Sequence, residues 1–157
     1  MEMNAIDGAL RGQPAPDWAD VVVEGLPEDA VQVTDPAVWA HEIFSARSLP
    51  APVMALMGLR QLVAPLVGAS RGGWEVFAVQ EVSGREALIT QADRHLDFRA
   101  TVGVDPESRL LWVTTAVWFH GWRGESYFLP VRFLHDPVTR AMMRRAIRRV
   151  AQCTMAG

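Results

Sequence analysis

The chain has 157 residues, of which 50% are hydrophobic and 21% charged, with a formal net charge of −3. This length suits one domain with a sizeable core, and the composition excludes a disordered chain, a collagen-like repeat and a disulfide scaffold. All 15 basic residues are arginine, which excludes a Walker-type phosphate lysine and a Schiff-base lysine. The mildly negative charge gives no general field that would attract nucleic acid.

Cysteine usage and hydropathy indicate the compartment. The one cysteine, Cys153, cannot form an intramolecular disulfide, which is typical of a reducing cytoplasm. The first thirty residues lack the basic and apolar regions of a signal peptide. The most apolar stretch, 53–67, is shorter than a membrane helix and contains Arg60 and Pro65. We therefore expect a cytoplasmic protein with neither a membrane nor a nucleic-acid partner.

The N-terminal third is predicted to contain one strand and two helices. Residues 1–17 mix glycine, proline and charge without periodicity, and are predicted to be a flexible lead-in to a single domain over 18–157. A β-branched run at 20–24 predicts the first strand. Asp35 as N-cap with Pro36 after it predicts a helix that ends near residue 48, and a second helix, apolar nearly all round, is predicted over about 52–67.

The rest of the chain is predicted to form a meander and a terminal helix. From residue 74 the hydrophobic period becomes two, which predicts strands at 74–82, 85–91, 95–104 and 109–119. A turn at 121–124 predicts a fifth strand of the meander at 125–133, and Asp136-Pro137 predicts a helix over 136–152. The predicted order is β-α-α-β-β-β-β-β-α. This is an α+β fold in which a curved antiparallel sheet wraps around a long C-terminal helix, as in the helix-grip fold.

The segment 93–99, Asp-Arg-His-Leu-Asp-Phe-Arg, resembles the central motif of an uncharacterised bacterial family known as domain of unknown function 2867. Further matches are Asp35-Pro36, Ile43-Phe44, 56–60, Thr114-Thr115, Tyr127-Phe128 and Phe133-Leu134-His135. The resemblance covers about residues 18–150. It implies a START-like, helix-grip domain of the SRPBCC superfamily, whose members often enclose a cavity between the sheet and the terminal helix. It implies no reaction, because no activity is established for the family.

A polar cluster alternates with apolar residues on one predicted strand. His95, Asp97, Arg99 and Thr101 share one side, because successive side chains of a strand point to opposite faces. Asp97 could orient His95, and Arg99 could hold a carboxylate or phosphate. The alternative is a solvated patch of ion pairs on the outside of the sheet.

The predicted strand at 109–119 is apolar on both faces. One face carries Trp112 and Trp118, and the other is equally apolar, so both should be covered. The terminal helix can cover one face. The helices, a bound ligand or a second subunit could cover the other.

The remaining candidates are isolated or lie on helices. Arg60, on the predicted apolar helix, is either an anion anchor or a side chain that reaches water. Five arginines of the terminal helix form either a phosphate-binding surface or a solvated face, and the negative net charge favours the latter. The four histidines and one cysteine have no metal-ligand spacing, and no dinucleotide fingerprint is present, so we expect neither metal nor cofactor.

Together these features predict a protein that binds a small, largely apolar molecule between the sheet and the C-terminal helix. The predicted ligand-binding residues are Arg60, His95, Asp97, Arg99, Trp112, Trp118 and Met143. One alternative is a cyclase- or dehydratase-type enzyme in which His95 or His120 acts as general base and Tyr127 as general acid. Another is an interaction module that docks through an apolar sheet face onto a second copy, as a homodimer, or onto an oxidoreductase partner.

Overall fold

The computed structural model describes residues 9–51, 54, 77–92 and 94–155. Its elements are β1 (Trp18–Gly25), α1 (Pro36–Ile43), a 3₁₀ helix (Ala46–Ser48), β2 (Glu81–Ser83), β3 (Glu86–Ala92), β4 (Leu96–Asp105), β5 (Leu110–Phe119) and α2 (Trp122–Met155). The second predicted helix lies outside the described residues apart from Met54, and so does Arg60. Of the predicted strand at 74–82, residues 77–82 are described; 77–80 are not strand, and 81–82 belong to β2.

The strands form a single antiparallel sheet in the order β1-β5-β4-β3-β2. β1 pairs with β5 along its full length, so the first strand closes one edge beside the last one. The predicted α+β class, with an antiparallel sheet and a C-terminal helix, is confirmed. The predicted strands at 85–91, 95–104 and 109–119 match β3, β4 and β5 to within one residue at every bound.

One face of the sheet, here called the inner face, carries the hydrophobic core. Val22, Val113 and Val102 are direct neighbours across β1, β5 and β4 and are buried there. The two described helices cover this face, with α2 against β1 and α1 against β3 and β4. Trp39 of α1 and Met143 of α2 are fully buried between these layers, so side chains fill the space between helix and sheet.

α1 begins where the sequence predicts it. The Asp35 side chain accepts a hydrogen bond from the Ala37 amide at 2.8 Å, and Pro36 occupies the first turn, where its missing N–H costs no hydrogen bond. The indole of Trp39 donates to the Val33 carbonyl at 2.8 Å. These contacts fix the helix over the inner face.

Four arginines of α2 hold the helix to the rest of the chain. Arg140 and Arg144 both reach Glu24 of β1. Arg145 donates to the Leu49 carbonyl, and Arg149 pairs with Glu42 at 2.8 Å. These ties argue against a surface of free cations for phosphate and explain the cluster as structural.

The predicted strand at 125–133 is wrong, and so is the helix start at residue 136, because α2 is continuous from Trp122 to Met155. Gly124 allows the first turn to lie directly on His95, the residue before β4, since a Cβ there would overlap the His95 carbonyl. Phe128, His135 and Thr139 then follow at helical spacing and pack inward. This packing outweighs the cost of Pro130 and Pro137 within the helix.

Candidate functional site

The opposite face of the sheet, here called the outer face, brings together several predicted site residues. It carries Asp97, Arg99 and Thr101 from β4, and Trp112 and Trp118 from β5. The helices α1 and α2 lie on the other side of the sheet. Instead, residues 9–17 run across part of it before β1 begins.

The segment 9–17 is held to the outer face by hydrogen bonds. Arg99 Nη1 donates to the Arg11 carbonyl at 3.1 Å, and Trp118 Nε1 donates to the Pro14 carbonyl at 3.1 Å. Asp17 Oδ2 accepts from the Phe119 amide at 2.7 Å. A stretch expected to be a flexible lead-in therefore supplies polar contacts to two candidate ligand-binding residues.

A pocket of about 190 Å³ opens between this segment and the outer face. Its walls combine two guanidinium groups, two carboxylates, two hydroxyls and one aliphatic side chain: Arg11, Glu81, Ser83, Glu86, Leu88, Arg99 and Thr101. The volume corresponds to about six water molecules. It can hold a small polar molecule but not a bulky apolar one.

Beside this pocket, a tryptophan of β5 packs closely against a glycine of β4. Trp112 lies against Gly103, its direct neighbour on β4, where a Cβ would overlap the indole ring. The indole Nε1 donates to Glu86 Oε1 at 3.1 Å. Trp112 thus fixes the carboxylate of Glu86, which lines the pocket.

Two buried hydroxyls distinguish this face from an ordinary solvated sheet surface. Thr101 and Thr114 are direct cross-strand neighbours, and each is 1% exposed. Neither hydroxyl has a hydrogen-bond partner within the described structure. A buried polar group without a partner costs about 1–3 kcal/mol. Of the two residues, Thr101 lines the pocket, so a polar occupant is favoured beside it.

A histidine and a carboxylate meet at the end where β4 begins and β5 ends. His120 Nε2 lies 3.1 Å from Asp97 Oδ2, and the other oxygen of Asp97 is buried without a hydrogen-bond partner among the described residues. The His120 amide donates to the His95 carbonyl at 2.9 Å. Asp97 therefore pairs with His120 rather than with His95, whose side chain is exposed.

The remaining predicted site residues lie apart from this face. Met143 belongs to the inner core, on the other side of the sheet from Trp112 and Trp118. Tyr127 lies within α2, and its side chain is outside what the structure describes. Arg99, Asp97, Trp112 and Trp118 are thus brought to one face, whereas Met143 is not.

One pair was not anticipated from the sequence. His135 Nδ1 lies 3.1 Å from Asp20 Oδ2, and Trp18 packs edge-on against the imidazole at 4.9 Å between ring centroids. The side chains are 16% and 26% exposed, so the pair is half-buried between α2 and β1. Only the helical spacing of Phe128 and His135 could have indicated it.

Within the described ranges, no three histidine, cysteine or carboxylate side chains are grouped so as to hold a metal ion. Over the same ranges, no helix has the length and apolar character needed to cross a bilayer. Cys153 is exposed near the end of α2.

The chain matches the model of a protein family over most of its length. The model of a family described as "Protein of unknown function (DUF2867)" matches residues 13–142, which is more than half of the chain. The chain belongs to the DUF2867 family. The match begins within the segment that crosses the outer face and ends in α2, so the DUF2867 region includes the whole sheet. No curated protein and no solved structure matches the chain.

Proposed function

We propose that this DUF2867 protein binds a small polar molecule that carries both an anionic and a cationic group, in the outer-face pocket. The observation that carries the proposal is that one pocket wall holds both Arg99 and Thr101, whose buried hydroxyl has no hydrogen-bond partner among the described residues. Arg99 and Arg11 suit a carboxylate or phosphate, and Glu81 suits an ammonium group. A zwitterion matches both kinds of wall at once.

This location differs from the cavity that the sequence predicts. The space between the sheet and α2 is occupied by Met143 and its neighbours, which leaves the outer face as the better supported place for a ligand. The START-like, helix-grip relationship is part of the proposal. Its support is the resemblance of the 93–99 motif, together with an antiparallel sheet that carries a long C-terminal helix on one face.

The test uses the intact protein and a panel of small zwitterions, amines and carboxylates. We expect zwitterions of amino-acid size to raise the thermal unfolding midpoint and to appear as bound mass in native mass spectra. Arg99→Gln should remove the shift, and Arg148→Gln, which changes an exposed arginine of α2, should retain it. A panel without any binder, or equal binding by both variants, would refute the proposal.

The second candidate function is acid–base catalysis at the His120–Asp97 pair. An imidazole held by a carboxylate is an arrangement that orients a general base, and this pair lies on the rim of the outer face. A substrate bound near Arg99 would then lie on the same face as the pair. His120 is thus a candidate general base here, as in the sequence analysis. The sequence analysis paired Asp97 with His95, whereas here Asp97 orients His120.

Conversion of a bound compound would separate the two functions. We expect an enzyme to lose turnover in both His120→Ala and Asp97→Asn while both variants still bind the compound, and His95→Ala to remain active. Full turnover in His120→Ala would remove this pair from any mechanism. A compound that binds but is never converted would support the binding protein alone.

A further inference from the structure

Several large apolar side chains in the first half of α2 are exposed and lie outside the hydrophobic core. Trp122, Leu129 and Phe133 are 72%, 53% and 74% exposed. With Ser126 they lie at spacings of four, three and four residues, which places them on one stripe along the helix. We call the side chains at 122, 126, 129 and 133 the outward stripe.

The outward stripe points away from the protein's own core. The core-facing residues of this half of α2 are Gly124, Phe128, His135 and Thr139. On a helix with 3.6 residues per turn, the two sets differ by about 140° around the axis. The helix therefore packs on the sheet with one face and exposes a second, apolar face.

The charges beside the stripe suggest what covers it. Glu125 and Arg132 are both exposed and lie on the same flank, seven residues apart. If a second copy packs antiparallel about a two-fold axis near residue 128, Glu125 of each copy faces Arg132 of the other. The same alignment sets Trp122 against Phe133 and Ser126 against Leu129. A two-fold contact must be self-complementary in this way.

The exposed area also fits a second copy. Trp122 and Phe133, with Leu129 and the flanking Leu134, present roughly 500 Å² per copy, which is near the upper end for the largest apolar patch on a monomer. Two copies would bury on the order of 1,000 Å² in all, near the lower limit for a specific interface. The stripe ends where Asp136 and Arg140 are tied to one another.

We propose that α2 mediates homodimerisation through the outward stripe, by antiparallel pairing of residues 122–133 with the same residues of a second copy. The contact lies on the helix, not on the apolar sheet face that the sequence suggested for docking. It also lies away from the outer-face pocket, so it is independent of ligand binding there. The small interface implies reversible association at micromolar to submillimolar concentrations.

Sedimentation equilibrium of the intact chain tests the proposal. We expect a mass that rises with concentration from 17.4 kDa towards twice that value. Phe133→Asp should weaken association at least about tenfold, because it places a charge in an apolar contact. Val82→Asp is the matched control, since it also charges an exposed apolar residue, but one on the edge strand β2.

A charge-reversal pair tests the antiparallel register. Arg132→Glu alone places like charges opposite one another twice per dimer and should weaken association about tenfold. Adding Glu125→Arg restores opposite charges and should restore association. Thermal unfolding of each variant establishes that its monomer is folded.

Three results would overturn the proposal. The first is a wild-type chain that stays monomeric at submillimolar concentration. The second is dissociation by Val82→Asp but not by Phe133→Asp, which would assign self-association to the sheet edge. The third is a double charge reversal that associates no better than Arg132→Glu alone, which would exclude the antiparallel register.

Discussion

Gly103 determines how Trp112 sits on the outer face. Because a Cβ at this position would overlap the indole ring, Gly103→Ala must displace either the ring or β4. We expect the variant to lose about 1–3 kcal/mol of unfolding free energy and to weaken the hydrogen bond from Trp112 to Glu86. Urea denaturation measures the loss.

Gly25→Ala is the matched control for this substitution. Gly25 ends β1, and a Cβ there would have open space around it. Its unfolding free energy should change by less than about 0.5 kcal/mol. Equal stability of the two variants would mean that Gly103 is not a close contact.

Asp105, at the end of β4, makes stability depend on pH. Hydrogen bonds from Ser108 and the nearby positive charge of Arg85 hold the pKa of Asp105 below its ordinary value of 3.8. Arg85 Nη1 lies 2.7 Å from Asp105 Oδ1. Because the lowered pKa belongs to the folded state, the carboxylate stabilises the fold above pH 3.8 and loses this effect as the pH falls through the lowered value.

Asp105→Asn should therefore be less stable than the wild type near neutral pH, and the difference should shrink below about pH 3.8. Chemical denaturation over a series of acidic pH values measures the difference. Glu107→Gln is the control, because the Glu107 side chain is 84% exposed and lies 3.6 Å from Arg85. A difference that stays constant down to strongly acidic pH would contradict the assignment to Asp105.

The candidate site was predictable only where its residues are neighbours along one strand. Alternation correctly placed Asp97, Arg99 and Thr101 on one face of β4. The partner of Asp97 was not predictable, because His120 is 23 residues away and meets it only through the register of β4 and β5. Arg11 and Pro14 carry no sequence pattern that would assign them to this face.

At the scale of elements, α2 shows how a local signal can mislead. Asp136-Pro137 has the form of a helix start, and Asp35-Pro36 is one. The two sites differ in tertiary packing. Phe128 and His135 pack on Trp18, so the helix begins before Pro137 and continues through it. Strands β3, β4 and β5 were predictable because two-residue alternation and turn residues gave the same bounds.

Arg149 joins α2 to the end of α1. Its Nη2 donates to the Glu42 carbonyl at 2.8 Å and to Ser48 Oγ at 2.7 Å, besides pairing with the Glu42 carboxylate. Arg149 and Glu42 are 26% and 30% exposed. Arg149→Met should therefore cost about 2–3 kcal/mol of unfolding free energy, because it removes the guanidinium that pairs with the partly buried Glu42 carboxylate, together with the bonds from Arg149 to the Glu42 carbonyl and to Ser48.

The neighbouring arginine provides the control. Arg148 is exposed on the same turn of α2, so Arg148→Met should change the unfolding free energy by less than about 0.5 kcal/mol. Denaturation of both variants under one set of conditions compares them. Similar losses would mean that the charge of the helix, rather than the Glu42 contact, is responsible.

At the scale of the whole molecule, the two faces of the sheet have different roles. The helices α1 and α2 cover the inner face, and the core lies between them and the sheet. The outward stripe lies on the far side of α2, where it is available for other contacts. On the outer face, polar residues lie beneath the segment 9–17. Stability should therefore depend chiefly on the inner face, and binding on the outer face and on the stretch that crosses it.

Deleting residues 1–14 tests this division of roles. The deletion removes Ala9, which is fully buried, and the carbonyls of Arg11 and Pro14 that accept from Arg99 and Trp118. We expect a folded chain that is about 1–3 kcal/mol less stable, with Trp118 more accessible to a soluble fluorescence quencher. Deleting residues 1–8 alone is the control, since it leaves these three contacts in place. If both deletions gave the same stability and quenching, residues 9–14 would not cover the outer face, and the pocket would lose the wall that Arg11 supplies.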